Sequence, residues 1–150
     1  MPQIDPRRWT PLIRTRVEVL HGDPQASTPG ETVGPTRPGD RVLDVSCGPG
    51  CLTNLVADAV RPAGTALGID PSPTVIDHAK RNTTRENCSF ELGTAEHLAA
   101  PDNMFDVVLS SLMVHHLRVD LRPRAFAEVL RVLHPGGRLP LPTSAHRQAD

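Results

Sequence analysis

Two acidic residues in the first half of the chain follow apolar segments and precede turn-forming residues. The first, Asp44, lies in the apolar run 41–45, and a tight turn with Gly48 and Gly50 comes directly after it. Glycine lets the backbone approach a ligand closely. An amphipathic helix is predicted after this turn from apolar residues at helical spacing, namely Leu52, Leu55, Val56 and Ala59. A strand, a glycine turn and a helix in this order predict a ligand crevice, where the first helical N–H groups can bind an anion.

The second acidic residue, Asp70, ends a second predicted strand, 65–69, and lies 22 residues after Gly48. A carboxylate at this strand end can accept two charge-assisted hydrogen bonds from a ribose diol. The alternative is that Asp70 only starts the turn 70–73 and caps the next helix. The two roles are compatible with each other.

Two later segments complete a regular α/β pattern. The third segment is the stretch 90–96, and in the fourth Val107, Val108 and Leu109 form a continuous apolar run typical of a central strand covered on both faces. A helix is predicted around 121–133, with a stop signal at 134–137.

These four segments, in order over roughly 37–141, resemble the class I, Rossmann-like, S-adenosylmethionine-dependent methyltransferases. Within this class, the four segments most resemble the small-molecule branch that includes the ubiquinone/menaquinone methyltransferases. The resemblance implies an α/β fold with an open parallel sheet, strand order 3-2-1-4-5, helices on both faces, and S-adenosyl-L-methionine as cofactor. A dinucleotide oxidoreductase is disfavoured, because the third glycine of its G-x-G-x-x-G fingerprint would fall at Thr53.

The resemblance also implies a set of site residues. The implied cofactor-binding residues are Asp44, Ser46, Cys47, Gly48, Gly50, Asp70, Pro71, Thr94, Ala95, Ser110, Ser111 and Leu112. Ser46 stands where the family usually has Gly or Ala, and serine costs little there unless φ is positive. Thr94 stands where the family commonly has an acidic residue, and its hydroxyl is a weaker acceptor for the adenine amino group. Glu96 is expected to be a solvated loop carboxylate.

Histidines and cysteines offer further chemistry. His115 or His116 can act as a general base near neutral pH, and the alternative, which we favour, is a structural pair. No metal site is expected, because Cys47 and Cys51 form a pair that lacks two further ligands at suitable spacing, and Cys88 is distant. We expect buried, reduced thiols.

Composition predicts one small domain. The chain has 150 residues, 38% of them hydrophobic, and a net charge of −1. This balance gives no electrostatic footprint for nucleic acid or an anionic membrane, and no run approaches the roughly 20 apolar residues of a membrane span. No signal peptide is recognised, and a cytoplasmic location is expected. The expected partner is a small-molecule methyl acceptor.

The predicted organisation has three parts. Residues 1–40 are predicted to hold one short helix and a Pro/Gly-rich linker, residues 41–142 the cofactor-binding domain, and residues 143–150 a polar tail. The helix is inferred from Trp9, Ile13, Val17 and Leu20.

The fifth predicted strand, 138–142, carries two prolines, and the β-hairpin that closes the family fold is not found after it. We therefore expect a C-terminally truncated family member that is marginally stable or self-associates through the fifth-strand edge. Two functions stay open on the sequence alone. One is methyl transfer to a small molecule, and the other is a non-catalytic cofactor-binding or interaction remnant of such an enzyme.

Overall fold

The computed structural model describes residues 18–21, 36–109 and 117–141. Its strands are β1 (Glu18–His21), β2 (Arg41–Val45), β3 (Thr65–Asp70), β4 (Cys88–Leu92), β5 (Phe105–Leu109) and β6 (Leu133–Leu141). Its helices are α1 (Cys51–Ala59), α2 (Pro73–Asn82) and α3 (Arg122–Val132).

All strand pairs of the sheet are parallel, and the order is β1-β6-β5-β2-β3-β4. Counted from β2 as the first strand, five of these strands reproduce the predicted order 3-2-1-4-5, which is confirmed. The chain moves outward from β2 to β3 and β4, then returns to β5 on the other side of β2. The carboxyl ends of β2 and β5 therefore flank the place where the winding direction reverses, which is where open α/β sheets bind ligands.

The sixth strand corrects two expectations. Residues 18–21 form β1, so the predicted helix is wrong at Leu20; Trp9, Ile13 and Val17 lie outside the described residues. β1 pairs in register with residues 138–141 of β6, so the fifth predicted strand is not the open edge that we expected. Within the described residues β1, not β6, is the outer strand on this side of the sheet, and self-association itself stays a prediction. Pro140 lies within the paired segment, opposite Leu20.

Helices cover the sheet on both faces. Val56 of α1 and Ala79 of α2 pack with Phe90 and Val107 in one core cluster. Val129 of α3 belongs to a second cluster on the other face, which the loop before β5 completes. Since β2 contributes buried residues to both clusters, its continuous apolar run has the pattern of a strand covered on both sides.

Helix α1 turns a different face to the sheet from the one predicted. Thr53, Val56 and Ala57 are buried, whereas Leu55 is 41% exposed and Ala59 is exposed. The buried stripe is shifted by one residue because the hydroxyl of Thr53 finds a buried acceptor. A polar residue with a partner can occupy a core position that the apolar pattern assigns to its neighbours.

The end of α3 also differs slightly from the prediction. The helix ends at Val132, one residue before the predicted end. The stop signal 134–137 lies within β6, which begins at Leu133. The register of the β5–β6 pairing shifts in this stretch. The proline and glycines there interrupt the regular ladder, but the two strands stay paired on both sides of them. Among the described helices, none has the length and apolar character that crossing a membrane requires.

A buried ion pair joins the amino-terminal side of the sheet. Nη2 of Arg138, on β6, lies 2.7 Å from both carboxylate oxygens of Asp40, which directly precedes β2. Because β5 lies between β2 and β6, this contact spans one strand. Both residues are buried, with relative exposures of 6% and 8%.

We expect Asp40→Asn to lower the free energy of unfolding by about 3 kcal/mol, because it removes one charge of a buried ion pair and weakens the two short contacts to the Arg138 guanidinium. Urea unfolding measures this loss. Asp120→Asn is the control, since Asp120 pairs with Arg118 on the surface and its loss should cost less than about 1 kcal/mol. Equal losses in the two variants would contradict a structural role for the buried pair.

Candidate functional site

The turn from β2 into α1 contains three residues in the left-handed region. Ser46, Gly48 and Gly50 have φ values of 60°, 56° and 89°. The turn is closed by a hydrogen bond from Gly50 N–H to the carbonyl oxygen of Cys47, at 3.2 Å. The N–H of Cys47 donates to Ile69 O at 2.9 Å, which continues the β2–β3 pairing up to the turn.

The two glycines of the turn are needed for different reasons. A Cβ at Gly50 would lie 2.5 Å from the ring of Phe90, so glycine lets α1 pack onto β4. A Cβ at Gly48 would meet nothing within 4 Å. The backbone at Gly48 therefore faces open space at the strand tips, where a ligand can approach it.

The Asp70 carboxylate connects the glycine turn after β2 with the turn after β3. Its Oδ2 accepts from Gly48 N–H at 3.1 Å, and its Oδ1 accepts from Ser72 N–H at 3.0 Å. The carboxylate is only partly buried. The turn-forming role that the sequence allowed is thus present in the structure, and the same carboxylate also holds the glycine turn of β2. Ser72, not Asp70, caps α2, because its Oγ accepts from Val75 N–H at 3.4 Å.

Asp44 is buried beneath the glycine turn. Its Oδ2 accepts from the Thr53 hydroxyl at 2.7 Å, while its Oδ1 is buried and has no hydrogen-bond partner among the described residues. Burial raises the pKa of Asp44 from 3.8 to about 6, and the Thr53 hydrogen bond partly opposes the rise. At neutral pH the site therefore contains a carboxylate with one unsatisfied oxygen, which favours a cationic or hydrogen-donating ligand.

The Cys47 thiol remains protonated at neutral pH. Burial raises its pKa to about 12, and the charges of Asp44 and Asp70 act in the same direction. A protonated thiol is neither a nucleophile nor a metal ligand. Among residues 36–109 and 117–141, no three His, Cys, Asp or Glu side chains are grouped as metal ligands.

The segment after β4 lines a cavity of about 340 Å³. Pro71 and Thr94 are at its rim, and it continues along the sheet face opposite α1 over Leu43 and Leu67. Thr94 is partly buried, and its backbone forms an isolated antiparallel β-bridge with His97. Asp44, Gly48 and Asp70 do not line this cavity.

Ala95 and Glu96 are placed differently from Thr94. The side chain of Ala95 is buried in the core under α3, so only its backbone remains available to a ligand. Glu96 is partly buried and does not line the cavity.

Helix α3 holds the wall of the cavity. Arg131 donates from Nη2 to the carbonyl oxygen of Leu98 and from Nη1 to that of Ala100, both at 2.9 Å. Glu128 accepts from Leu98 N–H at 2.8 Å. Hydrogen bonding to Arg131 lowers the pKa of Glu128 to about 2, so the carboxylate stays charged at neutral pH.

Some predicted residues are brought together and others cannot be placed. Asp44, Ser46, Cys47, Gly48, Gly50 and Asp70 converge at the tips of β2 and β3. Ser110, Ser111, Leu112, His115 and His116 lie outside the described residues, so their predicted roles stay predictions. Sequence reasoning missed Thr53 as a partner of Asp44. The available signal was a hydroxyl residue in the first turn of the helix, nine residues after a buried acid.

The positive φ of Ser46 gives a direct test of the turn. A non-glycine residue in this region is strained by about 1–2 kcal/mol, so we expect Ser46→Gly to raise the free energy of unfolding by about 0.5–1 kcal/mol after the entropy cost of glycine. Urea unfolding measures the difference. Ser46→Ala keeps the Cβ and should give no such gain, and a gain equal to that of glycine would show that backbone strain is not the cause.

Asp44 should make stability depend on pH. Its folded pKa of about 6 exceeds its ordinary value of 3.8, so the folded state binds more protons between these values. The free energy of unfolding should therefore fall by about 3 kcal/mol from Asp44 alone as pH rises from about 3 to about 7. Asp44→Asn should lack this fall. Urea unfolding of both proteins at several pH values tests this, and parallel pH curves would contradict it.

Comparisons with known proteins identify methyltransferases as relatives of this chain. A family model described as a methyltransferase domain matches residues 42–137. The demethylmenaquinone methyltransferase of Symbiobacterium thermophilum is 40% identical over 106 residues, which are 68% of this chain and 41% of that protein. The arsenite methyltransferase of Halobacterium salinarum is 37% identical over 68% of this chain and 26% of that protein.

The fold is shared with solved methyltransferases. An S-adenosylmethionine-dependent methyltransferase from Mesorhizobium loti superimposes with a TM-score of 0.63 at 27% identity, over 72% of this chain and 48% of that one. The chain thus spans less than half the length of these relatives. The matched residues include the glycine turn, Asp44 and Asp70, and the chain belongs to the Rossmann-like, S-adenosylmethionine-dependent methyltransferase family.

Proposed function

We propose that this chain binds S-adenosylmethionine across the carboxyl ends of β2 and β3 and forms the cofactor-binding part of an enzyme that methylates a small molecule. The observation that carries the proposal is the position of Asp70. Its carboxylate is fixed by Gly48 N–H and Ser72 N–H at the tip of β3, yet it remains partly exposed.

Asp70 suits a ribose diol. Each of its oxygens accepts one backbone hydrogen bond, and a carboxylate oxygen has capacity for a second. Two hydroxyl groups on neighbouring carbons can therefore donate to the same carboxylate without displacing its backbone donors. Because those donors already fix the orientation of the carboxylate, ligand binding costs little additional conformational entropy at Asp70.

Asp44 and the open backbone at Gly48 suit the amino-acid end of the cofactor. The unsatisfied Oδ1 of Asp44 would gain a partner from an ammonium group, and ionisation above a pKa of about 6 makes that contact charge-assisted at neutral pH. The N–H groups that open α1 are free of intrahelical acceptors and suit a carboxylate. The residues present therefore fit both charged groups of an amino acid.

When bound, the cofactor supplies a methyl group on a positively charged sulfur, which a nucleophile of the acceptor can attack. The proposed contribution of the described residues is positioning: they fix the ribose and the amino-acid end so that the methyl group faces the crevice. Holding reactants in an attack geometry is a large source of rate enhancement by itself.

The acceptor class is proposed from the relatives. The two curated relatives are named for demethylmenaquinone and for arsenite, which are both small but chemically unlike. This supports a small-molecule acceptor for the present chain.

Calorimetric titration with S-adenosylhomocysteine, S-adenosylmethionine and NAD tests the cofactor proposal. Binding of the two sulfur ligands without NAD is expected, and NAD binding alone would overturn it. A methyl-transfer assay on a panel of small acceptors then separates the two functions left open by the sequence. Turnover supports the enzyme, and binding without turnover on any acceptor supports the non-catalytic alternative.

Asp70→Ala should weaken binding of S-adenosylhomocysteine by about 1.5–3 kcal/mol, the range for a hydrogen bond to a charged group. Ser72→Ala is the matched control. It removes the N-cap of α2 and should lower the free energy of unfolding by about 1 kcal/mol while leaving the affinity unchanged. Unchanged affinity in Asp70→Ala would confine Asp70 to its role in the turn.

A further inference from the structure

Asn54, in the first turns of α1, contacts the glycine turn through its side chain. Its Nδ2 donates to the carbonyl oxygen of Gly50 at 2.8 Å. The same carbonyl accepts the backbone N–H of Asn54 at 3.0 Å. The last residue of the glycine turn is thus held twice by one residue of the helix that follows it.

The other end of the Asn54 amide is anchored in the loop between α2 and β4. Its Oδ1 accepts from the Thr83 hydroxyl at 2.7 Å and from Arg85 Nη1 at 3.1 Å. Arg85 is itself fixed to Asp58 of α1 by a pair of hydrogen bonds of 2.7 Å and 2.6 Å. Since a guanidinium can only donate, Arg85 requires that Oδ1 face it, which leaves Nδ2 facing Gly50.

The contact to the Gly50 carbonyl also affects the backbone N–H of the next residue, Cys51. A peptide unit is planar, so the direction of the Gly50 carbonyl determines the direction of the Cys51 N–H on the other side of the same plane. Cys51 is the first residue of α1, and its N–H has no acceptor within the helix. Gly50 itself, at φ 89°, has more backbone freedom than any other residue type would have there.

We propose that Asn54 is a positioning residue of the cofactor site, which aims the N–H groups at the start of α1 by holding the Gly50 carbonyl. This inference rests on the proposed function, because its effect on binding requires that the glycine turn contact the cofactor. Asn54 itself is directed away from the crevice, toward Thr83 and Arg85, so it acts through the turn.

Two reciprocal substitutions on the same helix separate positioning from stability. Asn54→Asp keeps an acceptor for Thr83 and Arg85 but places a carboxylate oxygen against the Gly50 carbonyl, and two acceptors at that distance repel each other. Asp58→Asn weakens the anchor of Arg85 and leaves the Asn54–Gly50 contact in place.

We expect Asn54→Asp to bind S-adenosylhomocysteine and S-adenosylmethionine each about fivefold more weakly, the effect of losing one hydrogen bond, with a melting temperature close to that of the unmodified chain. Asp58→Asn should lower the melting temperature and leave both affinities within about twofold. The second ligand carries one more positive charge than the first. A direct effect of the new carboxylate would therefore separate the two affinities, whereas a misaimed turn weakens both.

The proposal is overturned if Asn54→Asp binds both ligands as the unmodified chain does, or if Asp58→Asn loses as much affinity. Hydrogen exchange of the Gly50 amide, which donates to Cys47 O, tests the inference in the ligand-free proteins without a cofactor. Faster exchange in Asn54→Asp than in Asp58→Asn supports it, and equal exchange overturns it. If the unmodified chain binds neither ligand, the proposed function fails, and the exchange result alone decides the role of Asn54.

Discussion

The structure depends on one constraint at the centre of the sheet: the chain must leave β2 and enter α1 within a few residues. β2 is covered on both faces, so the chain can only turn at the strand tip, and α1 must fold back at once over the core formed with Phe90. Three left-handed residues in five positions accomplish this reversal. The same reversal leaves the N–H groups that open α1 at the tips of the strands, which is why a packing requirement also produces a binding surface.

Two carboxylates at these tips differ because their surroundings differ. Asp70 is partly exposed and is engaged by two backbone donors, so it is fixed and still accessible. Asp44 is buried with a single partner, and its pKa rises to about 6. Asp70 is therefore a fixed acceptor for hydroxyl groups. On the neighbouring strand, Asp44 is a buried charge with one unsatisfied oxygen. A ligand with a donor for that oxygen would relieve the cost of its burial.

The sequence predicted the elements whose signals are local. The glycine turn and the place of Asp70 follow from apolar runs, glycines and acidic residues within short stretches, whereas the strand order came from the resemblance to the methyltransferase family. The face of α1 was wrong, because burial of Thr53 depends on Asp44, a partner on another element. β1 was missed because four residues acquire strand structure only by pairing with β6, more than a hundred residues later. The only sign of the positive φ at Ser46 was the Gly or Ala that the family usually has there, since the strain is imposed by the turn around it.

The two ends of the central strands contribute different things. The carboxyl end carries a serine in the left-handed region and a buried carboxylate with an orphan oxygen. At the amino end, the buried Asp40–Arg138 pair and the bond from Arg41 N–H to Asp106 join β2, β5 and β6. Unfavourable local geometry persists only where the surrounding structure over-determines it. Central strands fixed at one end can hold such geometry at the other, which is the arrangement that a binding site at the strand tips requires.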